Sequence, residues 1–378
     1  MKIHFHDLLS QYIDYKDEVD FAIQKVLNSC QFIMGQEVFE FENALAQYLG
    51  CKNVISCASG TDALLLSLMA IGIKPGDEVI TTPFTFISTA EVISLLGAIP
   101  VFADIQPDSY HIDPHQINEK ITCKTRAIIP VSLYGQPADM DEINALAQTH
   151  GNEIGHKIYV IEDAAQSLGA EYKGLKSAAL SDVGCVSFFP SKPLGCYGDG
   201  GAIIVKEDDI AEKIKCMRVH GQTKRYQHRY IGINGRLDTL QAAILLVKLK
   251  YFDKELSQRA KVAKLYDNLL AEYDIVIPFI KSDRTSVHQQ YSIRVKHRHK
   301  VIDYLTSKQV PVAVHYPTPL HLQECFRFLG YIEGDFPVAE RVSREIMSLP
   351  MSAYITSAQQ QYIANVIQDV VAADEKVY

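Results

Sequence analysis

A mostly parallel α/β sheet, followed by a smaller α+β domain, is the fold class this chain predicts, and three observations predict it. Between about residues 53 and 205, apolar strand-like runs alternate with helical stretches. The runs are near-continuous Val, Ile and Phe, the pattern of strands covered on both faces. After about residue 237 this rhythm stops and one long helical pattern begins.

The elements follow in order. "NVISCAS" reads as a strand and "GTDALLLSLMA" as the helix after it. "KPGDEVITT" supplies a turn and a second strand, "FISTAEVISLLG" a helix and "AIPVFADI" a third strand. "TRAIIPVSL" and "KIYVIEDA" are strands on either side of the helical "DMDEINALAQTHG". "DVGCVSFF" and "GGAIIV" close the series, near enough in sequence to run antiparallel. "DTLQAAILLVKLKYFDKELSQRAKVAKLYDNLLAEY" reads as a long helix with an apolar stripe. "SVHQQYSIRV" and "VPVAVHY" are strand candidates beyond it. We expect a large α/β domain over residues 1–250 and a small α+β domain over 251–378, with the extreme N-terminus packing on the small one.

Composition narrows the function class. The chain has 378 residues, 47% hydrophobic and 22% charged, as in an ordinary globular enzyme. Its net charge of −8 argues against a general nucleic-acid binder. No apolar run is long enough to span a bilayer, and the first residues lack the basic-then-apolar layout of a signal peptide. Eight cysteines are scattered without a Cys-x-x-Cys pair, which reads as free buried thiols in a reducing cytosol. A cytoplasmic protein is therefore expected. The chain has no G-x-G-x-x-G after a strand, Walker A loop, H-E-x-x-H or G-x-S-x-G.

Ligands of such sheets bind at the carboxyl ends of strands. Ser59, Gly60 and Thr61 follow the first strand and open a helix, where free N–H groups suit a phosphate or simply form a cap. Asp163 ends a buried strand and needs a partner; Gln166 is three residues on. Ser187 ends another strand, five residues before Lys192, which stands between two prolines. From Lys213 to Leu237 there is no Asp or Glu but seven Lys and Arg, a local positive stretch that suits an anion. A lysine, a buried carboxylate and a phosphate cup on one sheet edge are the three things pyridoxal phosphate requires.

The motifs "SGTDAL", "TTPFTFISTAEVI", "VIEDAAQSLGA", "SFFPSKPLGCYGDGGA", "GINGRLDTLQAAIL" and "AVHYPTPLH" occur in this order along nearly the whole chain. In them the chain resembles the DegT/StrS-type nucleotide-sugar aminotransferases, of the fold-type I pyridoxal-phosphate class. The resemblance implies roles. Lys192 would anchor the cofactor as an imine, and Asp163 would pair with its pyridinium nitrogen. Gln166 would approach the ring hydroxyl and Phe86 would stack on the ring. Gly60, Thr61 and Ser187 would hold the phosphate, joined by Asn234 from the neighbouring subunit of an obligate homodimer. Arg236, His315 and Tyr316 would meet the sugar nucleotide.

The implied reaction moves an amino group from L-glutamate, through pyridoxamine phosphate, to a UDP-linked keto-sugar. The nearest likeness is to the branch acting on UDP-2-acetamido-2-deoxy-3-oxo-glucuronate in bacterial O-antigen synthesis. Gln36, where proline is expected, and Gly235, where serine is common, depart from that branch near the sugar site. The alternatives are a 4-keto UDP- or dTDP-sugar aminotransferase, a non-aminating sugar enzyme on the same cofactor, and a regulator that kept only the fold. Dehydratases of the family carry histidine in place of the lysine, so Lys192 favours transamination.

Overall fold

The computed structural model describes residues 2–375. Two helices, α1 (Leu8–Ser29) and α2 (Gln36–Leu49), precede the sheet. Then come β1 (Asn53–Cys57), β2 (Glu78–Thr81), β3 (Ile99–Phe102), β4 (Thr125–Ile129) and β5 (Tyr159–Asp163). Their connections hold α3 (Gly60–Ile71), α4 (Ser88–Leu95), α5 (Pro114–Lys120) and α6 (Met140–Ile154). A small hairpin, β6 (Glu171–Tyr172) and β7 (Leu175–Lys176), leads to β8 (Val183–Ser187) and β9 (Gly201–Val205). Next are α7 (Asp208–Met217), an exposed hairpin of β10 (Gln222–Lys224) and β11 (Gln227–His228), and the long α8 (Thr239–Leu270). The chain ends in β12 (Tyr291–Arg294), α9 (Arg298–Ser307), α10 (Pro337–Glu345), β13 (Ile346–Leu349) and α11 (Ser357–Glu375).

Seven strands form the central sheet in the order β1-β9-β8-β5-β4-β2-β3. β9 runs antiparallel to both its neighbours, β1 and β8, and the other pairs are parallel. Alternate residues of one strand serve opposite faces. Val79, Ile129 and Ile161 face α3, α4 and α7, whereas Ile80, Ile128 and Val160 face α5 and α6. On that second face, Val54, Val186 and Ile204 pack under α2 and α8. Helices on both faces explain why these strands carry no polar alternation.

The α3 helix shows how local signals and packing agree. The Ser59 side chain accepts the Asp62 N–H at its start, and Gly72 ends it at φ 86°. Leu64, Leu66 and Leu68 are buried between α3 and its neighbours, each contributing roughly 1.5–3 kcal/mol.

β12 and β13 form an antiparallel pair, packed with α9, α11 and the second half of α8 around Tyr266, Tyr291, Leu305, Met347 and Ile363. Ile3 joins this core, and Met351 N–H donates to the Phe5 carbonyl, so the N-terminal segment lies on the small domain. The boundary expected at residue 250 falls inside α8, which runs without a break from the sheet to the small domain.

Two expectations need correction. "VPVAVHY" forms no strand; only Ala313 bridges, to Ser348. Pro311 and Pro317 lack the N–H groups that a ladder requires. The cysteines are free, but only Cys57, Cys185 and Cys196 are buried; Cys30, Cys123 and Cys325 are exposed. Among the described residues no helix is long and apolar enough to cross a membrane, and no His, Cys, Asp or Glu cluster could hold a metal.

Candidate active site

A cavity of about 440 Å³ opens at the carboxyl ends of β1, β2, β5 and β8. It gathers Gly60, Thr61, Phe86, Asp163, Gln166, Ser187, Lys192, His315 and Tyr316. Residues far apart in the chain meet there because a parallel sheet turns all its loops to one edge.

Lys192 sits on a braced loop. Its N–H donates to the Phe189 carbonyl at 2.8 Å, and Gln289 Nε2 holds the Ser191 carbonyl at 2.6 Å. From α8, the buried Lys248 ammonium donates to the Gly195 carbonyl. Desolvation pulls the Lys192 amine down to about 8, against the attraction of Asp163. Asp163 is buried and responds in the opposite direction: desolvation pushes its carboxyl up, while Thr89, the Ala165 N–H and Lys192 oppose the rise. Thr89 Oγ1 donates to Asp163 Oδ2 at 2.8 Å. The remaining capacity of that carboxylate faces a cavity that contains an amine.

The phosphate-sized cup lies at the start of α3. Thr61 Oγ1 and Ser88 Oγ stand 2.8 Å apart, and the backbone is tightly folded beside Ser187. A Cβ on Gly60 would meet Ser187 Cβ at 2.8 Å, and one on Gly201 would meet the Ser59 carbonyl at 2.4 Å. Glycine at both positions lets β1, β8 and β9 converge behind the cup.

Gln166 is held at both ends: Oε1 accepts the Tyr134 N–H at 2.8 Å and Nε2 donates to Tyr316 OH at 3.2 Å. Phe86 is 55% exposed and its ring lies 6.2 Å from that of Tyr316, a flat apolar wall on the cavity. His315 places Nδ1 3.0 Å from Ser348 Oγ, and burial with the nearby Lys192 lowers its pKa to about 4, so the imidazole is neutral at pH 7.

Asn234 and Arg236 are not brought into this cavity. Asn234 is exposed and bridges to Val219; Gly235 is tied to Ala58 and Arg218 by backbone hydrogen bonds of 3.0 Å. The segment thus borders the cup from outside. Gln36 is the first residue of α2, and a Cβ on Gly235 would press on Ile233 at 3.0 Å.

The basic stretch also divides. Arg218 is buried, paired with Glu42 and bonded to the Ser56 carbonyl at 2.7 Å, so it serves structure rather than a ligand. Lys224, Arg225 and Arg229 stand exposed on and beside the β10–β11 hairpin.

Sequence reasoning missed Thr89, Asp199 and Gln290, which line the same cavity. Thr89 and Asp199 lie inside motifs already quoted, and no local signal sets either apart from a capping or turn residue.

A buried amine beside a buried carboxylate, an aromatic wall and a helix N-terminus match the aldehyde, ring nitrogen, ring face and phosphate of pyridoxal phosphate in turn. Comparison with known proteins points the same way. The model of the DegT/DnrJ/EryC1/StrS aminotransferase family matches residues 14–368. The UDP-2-acetamido-2-deoxy-3-oxo-D-glucuronate aminotransferase of Pseudomonas aeruginosa is 50% identical over 96% of this chain and 98% of its own. A pleiotropic regulatory protein of Geobacillus stearothermophilus is 45% identical over 98% of each. The solved structure of ntda from Bacillus subtilis, with bound cofactor pmp, superposes at a TM-score of 0.87 with 30% identity, covering 95% of this chain and 82% of that one.

Proposed function

The chain belongs to the DegT/DnrJ/EryC1/StrS aminotransferase family, and from that premise we propose that it transfers the amino group of L-glutamate to C3 of a UDP-linked 3-keto-hexuronate, UDP-2-acetamido-2-deoxy-3-oxo-glucuronate. Its cofactor is pyridoxal phosphate, cycling with the pyridoxamine form. The observation that carries the substrate reading is the 50% identity over nearly the full length of both chains. In this reading the enzyme works in the cytoplasm, in bacterial surface-polysaccharide synthesis.

When bound, the cofactor supplies an aldehyde that condenses with amines and a ring that accepts electrons from the reacting carbon. The rest falls to this chain. Lys192 would hold the aldehyde carbon, then act as a free amine that carries a proton to and from the reacting carbon. Asp163 would keep the ring nitrogen protonated, since an adjacent anion favours the charged form. Thr89 fixes that carboxylate through Oδ2. Gly60, Thr61 and Ser187 would hold the phosphate, Phe86 would cover one ring face, and Gln166 would meet the ring hydroxyl. His315 and Tyr316 would meet the sugar.

A shared site in a homodimer is part of the proposal. In support, Asn234 is exposed and does not line its own cavity, and α1 exposes Leu9, Ile13 and Phe21, which an unpartnered chain would leave wet. The exposed hairpin with Lys224, Arg225 and Arg229, together with Arg236, would meet the diphosphate and uronate carboxylate.

Single-turnover amination by the pyridoxamine form tests the substrate, using 3-keto and 4-keto UDP- and dTDP-sugars. The 3-keto uronate should react fastest; a faster 4-keto sugar without a carboxylate removes the substrate choice but keeps the reaction class. Asp163→Asn should slow both half-reactions roughly 10- to 1,000-fold, following the 1–3 units by which an ion pair shifts a titration, with cofactor still bound. A change under threefold contradicts the role.

The proton-transfer step has an expected pH profile. With the Lys192 amine near 8, the neutral base is the minor form at lower pH. The rate should therefore rise about tenfold per pH unit below 8 and level off above it. A flat profile from pH 6 to 9 would exclude Lys192 as the base in that step.

A further inference from the structure

Gln290 stands immediately before β12, where the small domain meets the lysine loop. It is 7% exposed and lines the catalytic cavity with Ser191, Lys192, His315 and Tyr316. It also lines a second chamber of about 20 Å³, together with Tyr110, Tyr134, His288 and Ser292. Gln290 thus forms part of the wall of both spaces.

Its two ends differ. Gln290 Oε1 is sealed from solvent and meets no hydrogen-bond donor. The Tyr110 hydroxyl, on a residue 3% exposed in the same chamber, is sealed and unpartnered too. Arg294, which also holds Glu345 and the Pro107 carbonyl, acts on that hydroxyl as a donor only, so the Tyr110 proton itself has no acceptor. Buried polar groups of this kind are satisfied by ordered water, and a chamber of this volume suits one molecule. A water there would accept from the Tyr110 hydroxyl and donate to Gln290 Oε1. That would fix the carboxamide with Nε2, which has no protein partner and is not sealed, toward the catalytic cavity.

The cavity holds few side-chain nitrogen donors: Gln166, Lys192, Gln290 and His315. Lys192 is its sole Lys or Arg among the described lining residues, and it is committed to the reacting carbon. Gln166 is bonded to Tyr134 and Tyr316, and His315 Nδ1 is taken by Ser348. Gln289 ties this segment to the Ser191 carbonyl at 2.6 Å, so the Gln290 amide is set at the level of the lysine. We propose that Gln290 Nε2 anchors the carboxylate that the amino donor carries on its reacting carbon, with Tyr110 as a positioning residue behind it. A hexuronate aminated at C3 bears its own carboxylate three bonds from the reacting carbon rather than on it. The inference rests on the proposed use of L-glutamate and deepens it.

The test compares the two half-reactions in Gln290→Met and Gln290→Glu with the wild-type holoenzyme. Losing one hydrogen bond to a charged group should lower the rate with L-glutamate about 10- to 100-fold in Gln290→Met. Gln290→Glu should lose more, because it adds a like charge. Amination of the keto-sugar by the pyridoxamine form should change less than threefold in Gln290→Met. Glutarate binding to the pyridoxal form, measured by calorimetry, should weaken in parallel with the glutamate rate. Tyr110→Phe should give a smaller loss confined to the glutamate half-reaction, and it serves if a Gln290 variant does not fold. Equal losses in both half-reactions, a loss with the sugar alone, or unchanged glutarate affinity overturns the inference. A wild-type enzyme that aminates the sugar from another donor but does not turn over glutamate overturns the donor choice, and the inference with it.

Discussion

Lys192→Ala is expected to reduce turnover by about 10⁴ or more, because one residue supplies both the covalent attachment and the proton carrier. The loss should appear in each half-reaction measured alone, and borohydride should no longer trap cofactor on the polypeptide. Lys192→Arg should not restore the rate. It keeps a charge near Asp163, but guanidinium stays protonated and cannot act as a base. The fold should be little disturbed, since the loop is held by the Phe189 carbonyl, Gln289 and Lys248 rather than by the lysine amine. Turnover within tenfold of wild type would end the mechanism outlined above.

Glu42→Ala should destabilise the protein by about 3–5 kcal/mol in denaturant unfolding, because it leaves the Arg218 guanidinium buried without its counter-charge. Glu42 also accepts the Ser56 N–H at 2.9 Å and its hydroxyl at 2.8 Å, so the same carboxylate fastens α2 to β1. Arg218 in turn accepts the Gly235 N–H on its carbonyl, which links this pair to the position of Asn234. Replacing both members with Leu and Met should recover most of the loss, since an apolar pair of similar volume costs little. A double variant as unstable as Glu42→Ala would show that the hydrogen bonds to Ser56, not the ion pair, carry the energy.

The parts visible in the sequence and the parts missed differ in physical character. The strands were legible because β2, β4, β5 and β8 are buried on both faces and therefore read as unbroken apolar runs. Lys192, Asp163 and Gly60 were legible because each lies at or just past the end of a strand, where a parallel sheet collects its chemistry. Arg218 misled because its charge, within a basic stretch, suggested an anion ligand, and only the fold sets Glu42 against it across 176 residues of chain. Thr89 escaped because its role exists only once α4 has been laid beside β5. Gln290 escaped for the same reason: its chemistry comes from what surrounds it, a sealed oxygen on one side and an amine-bearing cavity on the other.

The place of β9 bears on how the molecule is made. β1 stands at the sheet's end and pairs only with β9, which leaves the ribosome about 150 residues after it. At ordinary translation speed that interval is roughly 8–30 s. Through that time the nascent chain carries Ser59 and Gly60 just behind a strand with no ladder to join. Vectorial synthesis thus completes this cradle late, with that edge bare until β9 arrives.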